Sequence, residues 1–151
     1  MMLYSQSDTI DYLIRVLDTC TNVQIKSSII ESFSYLNSDN FDKVFSNYKN
    51  TIRTQDYGMF FGSLSKIVNK QEFLINYWIK SGEENFQIDE IRFKILKSIC
   101  VNVYKTELID KIINYLEQIC SSKNQFVLGK IIEMLETNKI ISNTINSHTH
   151  I

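Results

Sequence analysis

Histidine is the usual general base and metal ligand, and this chain has two, His148 and His150, both close to its end. An H-x-H pair offers two ligands where a closed zinc site takes four. No zinc spacing occurs elsewhere, so the pair reads as part of a solvated terminus and no metal is expected. Cys20, Cys100 and Cys120 are widely spaced among apolar residues and form no C-x-x-C pair, which is the pattern of reduced core thiols. The paired carboxylates are Glu83 with Glu84 and Asp89 with Glu90. Acid–base catalysis needs two such groups facing each other across a cleft, whereas these flank a loop. Adjacent acids at a helix start favour its positive dipole end by about 0.3–1 kcal/mol, and their other use is contact with a partner. Gly58-Met59-Phe60-Phe61-Gly62 lacks the Lys and Ser or Thr of a phosphate loop. On a helix the two glycines instead let a neighbouring backbone come close. The sequence therefore predicts no enzyme and no cofactor.

Tyr77 and Trp78 are the remaining outstanding pair. Large aromatics with a polar tip anchor many interfaces, yet Trp78 follows Leu74 by four and Ile75 by three, on one helical face with both, which suits core packing. The expected partner-binding set is Tyr77, Trp78, Glu83, Glu84, Asp89 and Glu90.

The overall charge names no partner. Sixteen Lys and Arg oppose seventeen Asp and Glu, for a net charge of -1. The densest basic stretch, Arg92, Lys94 and Lys97, directly follows the four acids, so direct nucleic-acid binding is not expected. Residues 1–10 lack a basic flank and apolar stretch, and no uncharged apolar run is long enough to span a membrane, which predicts a cytoplasmic protein.

These residues must be positioned by helices. Proline is absent and only four glycines occur, so sheet and loop breakers are scarce. Apolar residues recur at spacings of three and four in eight segments: Ile10–Leu17, Ile25–Leu36, Phe41–Ile52, Tyr57–Val68, Phe73–Trp78, Ile91–Val103, Leu108–Cys120 and Phe126–Leu135. Ser7, Thr21 with Gln24, Asn37 to Asp39, Thr54, Asn69 with Glu72, Thr106, and Ser122 with Gln125 supply starts, and Gly82 sits where a left-handed C-terminal cap is expected. The β-branched stretch SICVNVY is the one plausible strand, opposed by the helical phase before it.

The expected fold class is all-α, with about eight short antiparallel helices in a single domain over residues 1–139 and a frayed polar tail over 140–151. Hairpin starts near Ser7, Ser38, Asn69 and Thr106 recur roughly every 31 to 37 residues, which fits either a HEAT-like stack or an irregular bundle.

With its size, hairpin layout and central aromatic segment MFFGSLSKIVNKQEFL, the chain over residues 10–137 resembles the all-helical immunity proteins of contact-dependent growth inhibition and related bacterial polymorphic toxin systems. The resemblance implies a small inhibitor that binds a cognate protein toxin domain, often a nuclease, and occludes its active site or substrate channel. Glu83, Glu84, Asp89 and Glu90 would then face a basic groove of the toxin, with Tyr77 and Trp78 beside them. A viral Bcl-2-like bundle that binds amphipathic helices is the alternative, on the A/T-rich codon composition and the segment Asn76-Tyr77-Trp78.

Overall fold

The computed structural model describes residues 6–48, 52–83, 90–119 and 125–149. Among them are eight α-helices and no strand: α1 (Gln6–Thr19), α2 (Val23–Ser32), α3 (Ser38–Tyr48), α4 (Tyr57–Ser65), α5 (Gln71–Glu83), α6 (Glu90–Cys100), α7 (Thr106–Ile119) and α8 (Gln125–Thr149). SICVNVY enters as the last turn of α6 and leaves through a turn, because Ile99 and Cys100 complete the buried stripe begun by Phe93 and Leu96.

The helices pack in two rows. In the even row α2 lies on α4, α4 on α6 and α6 on α8; in the odd row α1 lies on α3 and α5 on α7. Aromatic side chains join α3 to α5, with Phe45 edge-on to Phe73 at 5.1 Å and to Tyr77 at 4.9 Å. Contacts between α1 and α2, α4 and α5, α5 and α6, and α7 and α8 close the rows against each other. In the even row each helix rests on the next but one, an order that helical-hairpin stacks also show.

The pair α4 and α6 is the most intimate. Gly58 and Gly62 face Ser98, and a Cβ on them would stand 3.2 Å from Ser98 Oγ and 3.5 Å from Ser98 Cβ respectively. The glycine pair thus serves close helix packing, and α4 buries Phe60 and Leu64 completely. Burying each such side chain contributes about 1.5–3 kcal/mol.

Side-chain amides then satisfy the helix ends inside the stack. At the end of α4, Asn102 Nδ2 donates to Gly62 O at 3.1 Å and to Ser65 Oγ at 2.8 Å, and Gln71 Nε2 donates to Ser65 O at 2.7 Å. At the end of α6, Asn138 Nδ2 donates to Cys100 O at 2.9 Å and Val103 O at 3.0 Å. Carbonyls at a helix C-terminus have no intrahelical donor, and here a neighbouring helix or turn supplies one.

Several expected boundaries move. The cap of α2 is Asn22, whose side chain accepts from Ile25 N at 3.1 Å, in place of Thr21. Asn37 does cap α3, accepting from Asn40 N at 3.0 Å. Thr54 begins a short 3-10 turn and α4 itself starts at Tyr57, while Asn69 lies within another 3-10 turn ahead of α5. Gly82 is no left-handed cap, since no glycine among the described residues has a positive φ. Helix α8 continues to Thr149, through the stretch expected to lose its structure. Its exposed Ile140, Ile141 and Ile145 do not follow the core phase, which is why the apolar pattern fades before the helix does.

Candidate interaction surface

The expected partner-binding residues that the structure describes lie on α5 and at the start of α6. Trp78 is interior: it is 2% exposed, its Nε1 donates to Arg92 O at 2.9 Å, and its ring meets Tyr115 edge-on at 5.7 Å. Burial removes it from any surface a partner can reach, which corrects its assignment as an anchor. The Arg92 guanidinium lies 4.4 Å from the Trp78 ring centroid, with Nη1 donating to Ser81 Oγ at 2.7 Å and Nη2 to Trp78 O at 2.8 Å. Tyr77 is half-buried, stacked on Phe61 at 6.1 Å. Together with Tyr57, Phe61 and Arg92 the two aromatics line a cavity of about 130 Å³ between α4, α5 and α6.

Of the four acids, Glu83 ends α5 and Glu90 opens α6, while Glu84 and Asp89 lie outside the described residues. Glu90 is exposed and borders a shallow groove of about 330 Å³ with Thr54, Gln55, Ile91 and Lys94.

Charge separates by row more clearly than by loop. Helices α1, α3, α5 and α7 carry ten Asp and Glu against four Lys and Arg. Helices α2, α4, α6 and α8 carry four acids against six bases. The acidic odd row also exposes two aromatics, Tyr12 at 61% and Phe73 at 45%. Some of its acids are engaged, Asp11 with Lys43 at 2.6 Å and Asp42 with Lys70 at 3.6 Å, whereas Asp39, Glu72 and Glu107 point outward and enter none of the four ion pairs seen among the described residues.

The second feature missed by sequence reasoning is a groove of about 610 Å³ between α6 and α8, lined by Lys97, Phe126, Val127, Lys130, Ile131 and Met134 among others. Phe126 was expected in the core and is 75% exposed. It stands two residues from Leu128, about 200° round the helix from the buried stripe of Leu128, Ile131, Leu135 and Asn138. The signal was present as a second stripe at seven-residue spacing, Val127, Met134 and Ile141.

Cys100 is fully buried, and burial pushes its thiol pKa far above the ordinary value; Cys20 is half-buried and Cys120 lies outside the described residues. No group of three or more His, Cys, Asp or Glu is placed to hold a metal among the described residues. His148 lies on α8, and His150 is outside the described residues. No described helix is long and apolar enough to cross a membrane. No protein-family model matches the chain, and no match is found among curated proteins or solved structures.

Proposed function

We propose that the chain is a binding protein of the immunity type, which neutralises a cognate bacterial toxin domain by laying its acidic odd row over a basic groove of that domain. The observation that carries this reading is the segregation of charge, ten acids against four bases on one row of a stack whose other row has the opposite balance. An excess of one sign on a surface raises the encounter rate with an oppositely charged groove and suppresses wrong partners. Tyr12 and Phe73, exposed on the same row, supply aromatic area of the kind that dominates binding energy. They replace Trp78. Inhibition by occlusion asks for no catalytic group on this chain.

The test is protection. The reading requires a toxin domain encoded beside this chain's gene, and cells making it should survive only when the chain is co-produced. Asp39→Lys, Glu72→Lys and Glu107→Lys in combination should abolish survival, with the fold intact by circular dichroism. A toxin domain that kills equally with and without the chain, or protection untouched by the triple reversal, defeats the reading.

A further inference from the structure

The groove between α6 and α8 lies on the row opposite the acidic face, and its chemistry is the inverse. Its floor is apolar, formed by Val127, Ile131 and Met134, and Phe126 stands at one edge. Its rim is basic. Lys97 from α6 and Lys130 from α8 both line it, against one acid, Glu133. Lys130 rests 4.8 Å from the centre of the Phe126 ring. The four ion pairs seen among the described residues engage Lys26, Lys43, Lys70 and Lys139, so neither rim lysine is neutralised by one of them. The apolar strip also outruns the cavity: Ile141 and Ile145, 42% and 56% exposed, extend it along α8.

We infer that this groove is a docking site for an amphipathic helix whose apolar stripe is flanked by acidic side chains. An apolar strip running along one helix and walled by another accepts side chains that recur at three and four residues. Charge complementarity selects the flank, since carboxylates beside that stripe would meet Lys97 and Lys130. The inference does not depend on the toxin-binding reading, because it uses the other row.

The test selects 16-residue helices from a phage-displayed library on the immobilised full chain, then measures synthetic versions by fluorescence anisotropy. Selected peptides should carry apolar residues at i, i+3, i+4 and i+7 with Asp or Glu beside them. Met134→Glu and Phe126→Glu should each weaken binding at least about tenfold. Phe126 is exposed, so its variant stays folded and reads the groove even if Met134→Glu disturbs α8. Lys97→Glu with Lys130→Glu should reverse the preference for an acidic peptide over its lysine-flanked twin, and Ile25→Glu on α2 should change nothing. Selected peptides without acidic flanks, or with affinities indifferent to Phe126→Glu, overturn the proposal. So does a dimer in sedimentation velocity that Phe126→Glu dissolves, because the occupant would then be a second copy.

Discussion

Trp78 and Arg92 hold each other twice. The indole donates to the Arg92 carbonyl at 2.9 Å while the guanidinium donates back to the Trp78 carbonyl at 2.8 Å and lies over the indole ring. This clasp ties α5 to α6, and Gly82 makes room for it: a Cβ there would collide with Arg92 Nη2. An arginine tip can usually swing away, but this one is fixed by Ser81, Trp78 and the ring beneath it.

Gly82→Ala should therefore cost about 1–3 kcal/mol, the range for overpacking a fitted site. In an Arg92→Ala background the obstruction is gone, and the same change should become stabilising by about 0.5–1 kcal/mol through helix propensity. Urea denaturation of the four proteins in this cycle measures the reversal of sign. Equal effects in both backgrounds would show that the clasp does not occupy the space over Gly82.

Asn138 is the donor for two main-chain oxygens at the end of α6, one of which, Cys100 O, also accepts from Val103 N at 3.2 Å. Asn138→Leu should cost about 1–3 kcal/mol, since Val103 O then loses a buried donor. Asn138→Asp should cost more at neutral pH, because it turns a carboxylate toward two carbonyl oxygens. The order of midpoints in denaturant, wild type above Leu above Asp, is the check.

These amides mark where the sequence stops speaking. The apolar periods locate eight helices because burial enforces them: Leu96, Ile99, Ile109, Ile112 and Leu116 are all at most 1% exposed. The periods say nothing about polar residues turned inward. Asn138 sits at a core position, and Gln71 is 2% exposed beneath the end of α4, because partners distant in sequence satisfy them. Lys26 takes the buried position on α2 that periodicity gave to Ile25, since Asp56 waits 3.1 Å from its ammonium. Charge is a further case: carboxylates adjacent in sequence stand out by their spacing, while the larger excess of acids belongs to helices that alternate along the chain.

The glycine pair of α4 separates two effects of a new methyl group. At Gly62 an added Cβ meets Ser98 Cβ at an ordinary 3.5 Å, so Gly62→Ala should stabilise by about 0.5–1 kcal/mol, the helical penalty of glycine being removed. At Gly58 the contact with Ser98 Oγ is tighter, 3.2 Å, and that hydroxyl donates to Lys94 O at 2.9 Å. Gly58→Ala should gain less, because the hydroxyl must give way. Gly62→Leu should separate α4 from α6 and lower the thermal midpoint steeply. Thermal unfolding of the three variants decides, and an increase for Gly62→Leu would show that the helices are not in close contact there.

Cys100 supplies a pH dependence whose sign is fixed by burial. In the fold its thiol stays protonated far above the ordinary range, because the interior disfavours the thiolate. In the unfolded chain the same thiol ionises near pH 8.5. Below that pH both states hold the proton and the group adds no slope. Above it only the unfolded state releases the proton, so stability falls with rising pH, by up to about 1.4 kcal/mol per pH unit from this one group. Cys100→Ala should be less stable at pH 7 through the cavity it leaves, yet should lose less further stability between pH 8.5 and 10 than the wild type. Denaturant titrations at pH 7, 8.5 and 10 compare the slopes. Parallel pH profiles would mean that the thiol is reachable by water, as would rapid modification of Cys100 by a thiol reagent under native conditions.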